Sequence, residues 1–325
     1  IQRPQGHESS ILSRGIFHMY LAIIYEIFFA VYIIMAGAAA VILIKRKHKI
    51  APIIIFLSIA GLIYSGYLEP QWIKIREQKI EVGKLNRELR VVVIGDWHFR
   101  PFKGASFAER AIAKVAEMKP DLILMTGDFL FFDDLPAFEK DLRALGGLAK
   151  IAPTYTVLGN HDYGIVFPDE SFLYTDSHRE ITKILQEQGI HVLSDGQEKV
   201  IIKGEEIVLA GFDEYWRKVR FPAKAVDGLA ETSALKIGVS HHPDIAYDQE
   251  AINLDLVVAG HTHGGQVRLP LIGALGDADS VMSKTDYGLY LPDHQPPIFN
   301  TVGIGESGPH VRFWNRPEIA LLRIK

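Results

Sequence analysis

No cysteine occurs anywhere in the 325 residues. That absence excludes disulfides, thiolate zinc sites and cysteine nucleophiles. A surplus of positive charge is missing too. The 35 Lys and Arg against 39 Asp and Glu give a net charge of −4, which argues against a protein that holds nucleic acid by a bulk positive field. There is no internal repeat and no low-complexity run. The chain begins at Ile1 rather than Met, so its native start is expected further upstream. Its length exceeds what one ordinary domain requires and leaves room for an appendage.

What is present in excess is apolar residues, at 48%, and they are concentrated at the front. Ile16–Ile44 runs almost without charge, and Ile50–Tyr67 is a second, shorter run with Pro52 near its start. A bilayer core of ~30 Å takes ~20 residues of helix, whereas a signal h-region is only ~7–15 residues long. The pattern predicts a membrane helical hairpin over 16–70, preceded by an N-terminal segment 1–15. Its five-residue tip Lys45–Lys49, "KRKHK", is basic. The positive-inside rule puts that tip in the cytoplasm and everything after the second span outside it. Lys74, Arg76 and Lys79 follow that span closely and pull the other way. Glu26, deep in the first run, is expected to pair within the hairpin or at a dimer contact.

Residues 71–87 read as a linker, and 88–325 as a domain in which strands alternate with helices. "ELRVVVIGD" is a buried strand without polar alternation. "SFAERAIAKVAEMKP" is an amphipathic helix with Ser106 as N-cap and Pro120 past its end. "DLILMTGD" and "TYTVLGNHD" are further strands, separated by the helix "PAFEKDLRALGGLAK". After the helix "HREITKILQEQG" come "IHVLSD", "EKVIIKG" and "EEIVLAGFDE", then "ALKIGVSHHPD" and "LDLVVAGHTHGG". Two or three closing strands end the chain. Such an order predicts a layered α/β domain.

Five of these strands end in Gly or Ser followed by an oxygen or imidazole ligand. They supply Asp96 and His98, then Asp128, then Asn160, His161 and Asp162, then His241 and His242, then His261 and His263. Sites in open α/β sheets form beyond the carboxyl ends of strands, so residues scattered in sequence converge in space. Alone, Asp128 or Asn160 reads as a turn residue, and a single histidine as a core residue with a hydrogen-bond partner. Carboxylate, imidazole and amide together, without thiolate, suit Mn²⁺, Fe²⁺ or Zn²⁺. Seven ligands exceed one tetrahedral zinc and suit two ions ~3.5–4 Å apart.

The ordered blocks D-x-H, G-D, G-N-H-D, H and G-H-x-H resemble those of the calcineurin-like metallophosphoesterases. The resemblance runs from Leu89 to the C-terminus. It is closest to a membrane-associated bacterial branch marked by "GHTHGGQVRLP" and "RFWNRPEIALL", a branch that includes UDP-2,3-diacylglucosamine pyrophosphatases and related phosphodiesterases. It implies a β-sandwich flanked by helices and two divalent ions. Asp96, His98 and His263 would hold one ion and Asn160, His241 and His261 the other, with Asp128 bridging. It further implies a water activated between the ions, His161 as general acid and Asp162 as the residue that orients its ring. His242 is expected to point elsewhere. His178, His191, His294 and His310 match no block and read as surface residues.

Two departures fall near the expected mouth: Val302 stands where the family usually has arginine, and "LIGALGDADSVMSKTDYGLY" lacks the usual "PS" form. Among aromatics crowding the loops after the ligand blocks, with Trp97 one of them, Phe129 and Phe131 read as core, while Phe102 and Phe132 read as an exposed apolar lip. Arg100 and the basic run Tyr215–Lys224 are candidates to reach phosphate. The expected substrate is a lipid-linked or nucleotide-linked phosphodiester or pyrophosphate at the bilayer surface. A catalytically silent metal-binding member and a nuclease-type phosphodiesterase are the competing readings. The mild acidity speaks against the nuclease and against a nucleic-acid partner.

Overall fold

The computed structural model describes residues 27–131, 135–165, 177–217, 223–248, 253–275 and 286–325. It divides into two units, Ile1–Glu69 and Pro70–Lys325.

The first unit is helical. Helix α1 (Ile27–Lys45) and the stretch Ile50–Gln71, which opens with α2 (Ile50–Ile63), are both long and apolar enough to cross a membrane. Pro52 lies in the first turn of α2, where a missing N–H breaks no intrahelical bond. Large apolar side chains such as Phe28, Ile34, Ile53 and Leu57 stand exposed on the two helices, as a lipid-facing surface requires. The ring of Phe29 meets that of Tyr67 at 5.6 Å. The start of the first apolar run and Glu26 lie outside the described residues.

In the second unit the strands are β1 (Lys74–Ile80), β2 (Leu89–Ile94), β3 (Leu122–Met125), β4 (Thr154–Thr156), β5 (His191–Val192), β6 (Gly196–Ile202) and β7 (Glu205–Gly211). They continue as β8 (Leu235–Val239), β9 (Leu256–Ala259), β10 (Arg268–Leu269), β11 (Gly273–Ala274), β12 (Gly288–Tyr290), β13 (Ile298–Asn300) and β14 (Glu318–Ile324). The helices are α3 (Ala105–Met118), α4 (Leu135–Ala144), α5 (Gly146–Ala149), α6 (His178–Glu187) and α7 (Ala223–Val226). Twelve strands form two six-stranded sheets, in the orders β1-β14-β2-β3-β4-β5 and β12-β13-β9-β8-β7-β6, and β10 pairs with β11 as a small hairpin.

Alternation within each buried strand builds the layers. Val91 and Val93 of β2 join Leu209, Ile237 and Val258 of the other sheet in a core between the sheets. Val92 and Ile94 face the opposite way and pack with Phe107, Ala111 and Val115 of α3. A third cluster covers the outer face of the second sheet, where Val208 and Val257 meet Ala225 of α7. The domain is therefore a β-sandwich with helices outside. With β2, β3 and β4 parallel in one sheet and β7, β8 and β9 parallel in the other, the carboxyl ends of each set open to one side.

Two local expectations change. The segment 71–87, expected as a linker, contains β1, which pairs in parallel with β14. Its charged sequence "KIREQKI" suits an edge strand, and Arg76 reaches the Glu318 carboxylate at 2.7 Å. Helix α3 is capped at Gly104 rather than Ser106. The Ala105 amide donates instead to the side chain of Asp141, a cap that sequence spacing does not reveal.

Candidate metal centre

Each of the five blocks leaves its strand and turns within a few residues. Thirteen described non-glycine residues have positive φ, and five of them are Asp96 (50°), His98 (42°), Asp128 (54°), His261 (70°) and His263 (49°). That conformation is unfavourable for side chains beyond glycine and persists only where surroundings enforce it. Cross-block hydrogen bonds do so here. Asp96 N donates to Gly127 O at 2.9 Å and His98 N to Asp128 O at 3.0 Å. His261 N donates to Asp96 Oδ1 at 2.9 Å, tying the two sheets together. Gly260 is required by close approach, since a Cβ there would lie 2.6 Å from Asp96 Oδ2.

The result is two neighbouring nests. In one, His98 Nε2 and His263 Nε2 are 3.0 Å apart, and one ligand atom from each of Asp96, His98 and His263 lies within 4.8 Å of the others. In the other, His241 Nε2 is 3.0 Å from Asn160 Oδ1 and 3.2 Å from His261 Nδ1. Asp128 lies between them, its Oδ2 at 3.3 Å from His98 Nε2 and 3.2 Å from His241 Nε2.

This arrangement is short of protons. His241 Nδ1 is 2.7 Å from the Thr126 carbonyl, which can only accept, so Nδ1 carries the hydrogen and Nε2 of the neutral ring carries a lone pair. The Asn160 amide nitrogen donates to Ile165 O at 2.6 Å, which turns Oδ1 inward. With the His241 ring neutral, its lone pair and those of Asn160 and Asp128 converge with no donor among them. A divalent cation satisfies such a set, and in its absence a proton on His241 Nε2 takes that place. Asp96 Oδ2 and His263 Nδ1 are also buried without a hydrogen-bond partner among the described residues. The donor chemistry fits divalent ions of the Mn²⁺, Fe²⁺ or Zn²⁺ type.

Burial raises Asp96 to about 7. Burial opposes the charged His241 ring, but Asp128 and Asp96 overcome it and raise His241 to about 10. Burial also works against ionised Asp128, yet His241 and His161 hold it well below the usual carboxylate range. Burial pushes His98, His261 and His263 well below the usual imidazole range, which keeps them neutral.

His161 and His261 are only partly buried, unlike Asp96, His98, Asp128, Asn160, His241 and His263, so they lie toward solvent. Here the expected role of Asp162 needs correction. Its carboxylate does not orient the His161 ring but accepts backbone N–H bonds from Asp128, Phe129 and Gly159 at 2.9–3.0 Å. It pins the turn that carries Asp128. Burial and the like charge of Asp128 raise it to about 7. The ring of His161 is held instead through Nδ1, 3.0 Å from the Phe131 carbonyl, and by Phe131 stacked on it at 5.5 Å.

Other candidates fare differently. Arg100 is buried, with one terminal nitrogen on Gly308 O at 3.2 Å and the other on Glu306 O. Its guanidinium lies 4.0 Å over the Phe131 ring, so it braces the aromatic under His161 instead of offering a free fork to phosphate. Phe102 is exposed, with its ring 5.8 Å from His310. Phe132 and residues 218–222 of the basic run Tyr215–Lys224 lie outside the described residues. Phe129 and Phe131 are buried, as expected, and Trp97 is buried too.

His310 is not a surface residue. It is buried, and its Nδ1 is 2.9 Å from Glu306 Oε2. The other oxygen of Glu306 receives Lys103 Nζ at 2.5 Å and Arg312 Nε at 3.2 Å. Burial lowers Lys103 to about 7 and Arg100 to about 10, while Lys103 and its neighbours hold Glu306 well below the usual range against its burial. Val302, found in place of the family's arginine, is buried, and its carbonyl accepts from Arg312 Nη2 at 2.9 Å.

Sequence reasoning missed one pair. His242 does not leave the site: its ring is 3.9 Å from that of His261, and its Nε2 is 2.6 Å from Glu214 Oε1. Trp216 closes on both histidines at 4.7–4.8 Å. The available signal was positional, because Glu214 follows β7 just as the ligand blocks follow their strands.

Comparison with known proteins follows the same residues. The family model described as calcineurin-like phosphoesterase matches 89–265. The chain is similar to phosphodiesterase YaeI of Escherichia coli, 28% identical over 86% of this chain and 98% of that protein. It is similar to a zebrafish (Danio rerio) transmembrane protein with a metallophosphoesterase domain, 28% identical over 83% of this chain and 60% of that one. It is also similar to UDP-2,3-diacylglucosamine pyrophosphatase LpxG of Chlamydia muridarum, 24% identical over 80% and 92%.

Proposed function

The chain belongs to the calcineurin-like phosphoesterases, a family of hydrolases, and from that premise we propose that it is a dinuclear metal phosphohydrolase acting on a phosphodiester or pyrophosphate. The observation that carries this reading is the position of Asp128, whose one oxygen stands within 3.3 Å of a nitrogen from each nest. Asp96, His98 and His263 would hold one divalent ion, Asn160, His241 and His261 the other, and Asp128 both. Bound there, Mn²⁺, Fe²⁺ or Zn²⁺ would supply a water of lowered pKa and positive charge against the phosphoryl oxygens. The chain's own residues do the rest. Asp162 fixes the turn bearing Asp128, and Thr126 O fixes the tautomer of His241. His161, tied through Nδ1 to Phe131 O, would give a proton from Nε2 to the leaving oxygen in its doubly protonated form, which burial disfavours and the nearby Asp128 carboxylate favours.

For the substrate, we favour a lipid-linked or nucleotide-linked ester at a membrane surface. The two apolar helices support a membrane anchor, and the relatives named phosphodiesterase and pyrophosphatase support the bond type. The basic tip Lys45–Lys49 favours a cytoplasmic loop and an extracytoplasmic domain.

The test is hydrolysis of bis-p-nitrophenyl phosphate by chelator-stripped protein re-supplied with each ion. Turnover is expected only with metal. Asp128→Asn is expected to lose more than ~10³-fold along with bound metal. His161→Ala is expected to lose ~10²–10⁴-fold in kcat while retaining metal. No turnover by the wild type with any ion, or variants equal to wild type, would overturn the reading. A panel of lipid-linked pyrophosphates and mononucleotide diesters then separates the substrates.

A further inference from the structure

The motif "QVRLP" after the last histidines has no part in the metal centre. It leads into the β10–β11 hairpin, whose tip is a turn with Ile272 N donating to Leu269 O at 3.3 Å. Pro270 takes the second position of that turn and Leu271 the third, with φ +70°. A third-position residue with positive φ is normally Gly or Asn, and leucine in that conformation is strained. Among the described residues no packing offsets that strain, because Leu271 is 108% exposed.

A second residue repeats the anomaly beside it. Val267 forms a parallel bridge with Phe313, and Arg268 N donates to Phe313 O at 2.9 Å. The next residue, Trp314, has φ +57° and is 67% exposed. Ile272 and Leu275 add to the same exposed apolar patch. From Gly264 to Leu275 there is no acidic residue. The one cation, Arg268, is paired with Asp286 at the base of the hairpin and lies over the Tyr287 ring at 4.7 Å.

We propose that this tip, Leu271, Ile272 and Leu275 with Trp314, inserts into the interfacial layer of a lipid bilayer. The proposal rests on the reading of the N-terminal helices as membrane spans. Only Trp72 and Ile73 separate the end of the second apolar stretch at Gln71 from β1. Two extended residues cover ~7 Å, so the chain gives the domain a short tether to that stretch. Aliphatic side chains with a tryptophan suit that layer. Removing each aliphatic side chain from water is favourable and works against the strain of the turn.

The test uses the full chain, in which any introduced cysteine is unique. Leu271→Cys and Leu275→Cys carry a nitroxide in nanodiscs of phosphatidylethanolamine and phosphatidylglycerol that hold one chain each. Ile42→Cys in α1 and Ile201→Cys, an exposed apolar site on β6, are the references. The hairpin labels are expected to collide with oxygen and be shielded from an aqueous nickel chelate, as at Ile42 and severalfold more than at Ile201. If Ile42 reads lipid while both hairpin labels read water, the insertion proposal alone is overturned. Should Ile42 read water as well, the membrane anchor fails and the proposal with it. Shielding seen only in discs with two chains would assign the tip to a second copy and overturn the bilayer as its occupant.

Discussion

The metal centre and the hairpin tip use the same unfavourable backbone for opposite ends. At Asp96, His98, Asp128, His261 and His263 positive φ is enforced from several sides, by bonds between blocks and by the Asp162 carboxylate. At Leu271 and Trp314 it is accompanied by one turn and one bridge, and the side chains are largely exposed. The first group is strained where candidate ligands meet one another. The second is strained where apolar side chains stand at the surface. Strain is therefore informative only together with burial, since the cost is local and its reason is found wherever the side chain ends.

The comparison can be broken at its buried side with the largest effect. Gly260→Ala would set a methyl 2.6 Å from both Asp96 Oδ2 and Thr126 Oγ1. Crowding of this kind costs ~1–3 kcal/mol, or roughly 2–10 °C in Tm for a domain of this size, and bound metal should fall with it. Calorimetry and elemental analysis check this. Unchanged Tm and metal content would mean that the blocks are less tightly interlocked than their hydrogen bonds indicate.

A smaller effect comes from pH. Asp96 and His241 are raised to about 7 and about 10 in the metal-free fold. Both therefore favour the free fold at low pH, a contribution lost as pH rises through those values. A bound ion needs both deprotonated. The lowered histidines stay neutral with or without metal, so they cancel in the difference between the two forms. The Tm gap between metal-loaded and metal-free protein is thus expected to widen from pH 5 to pH 8, measured at constant free metal. A gap that narrows would contradict the assignment of these two groups as ligands.

At the exposed side the sign reverses. Leu271→Gly releases the ~1–2 kcal/mol of left-handed leucine against ~0.5–1 kcal/mol for glycine's extra freedom when unfolded. Thermal unfolding in detergent should show stability unchanged or gained by up to ~1 kcal/mol. A clear loss would mean that Leu271 packs inside the protein after all.

The candidate nests were legible because each ligand block opens on glycine or serine at the end of an apolar run, a local pattern that survives in one dimension. The layered α/β order was legible for a similar reason, in the continuous runs of β2, β3 and β9, whereas the sandwich was implied by the family resemblance. Bonds to main chain left no such mark. Asp162 reads as a partner of its neighbour His161 until the fold brings three amides to it. Glu214 and His242 meet only when β7 and β8 pair. The strand β1 looks like a polar linker because its partner β14 is more than 200 residues away. His310, Lys103 and Glu306 look like surface residues singly, since one buried carboxylate per cluster is invisible without the cluster.

That cluster changes how the molecule meets its ligand. Lys103 and Arg312 hold the Glu306 carboxylate while Arg100 donates to the Glu306 carbonyl, so the positive charge of the two arginines exceeds that of the single carboxylate behind the His98 and His161 side of the centre. The chain as a whole is acidic, at −4, yet an approaching phosphate meets a local field of the opposite sign. Capture should therefore slow as ionic strength rises, in a protein whose overall charge suggests the reverse.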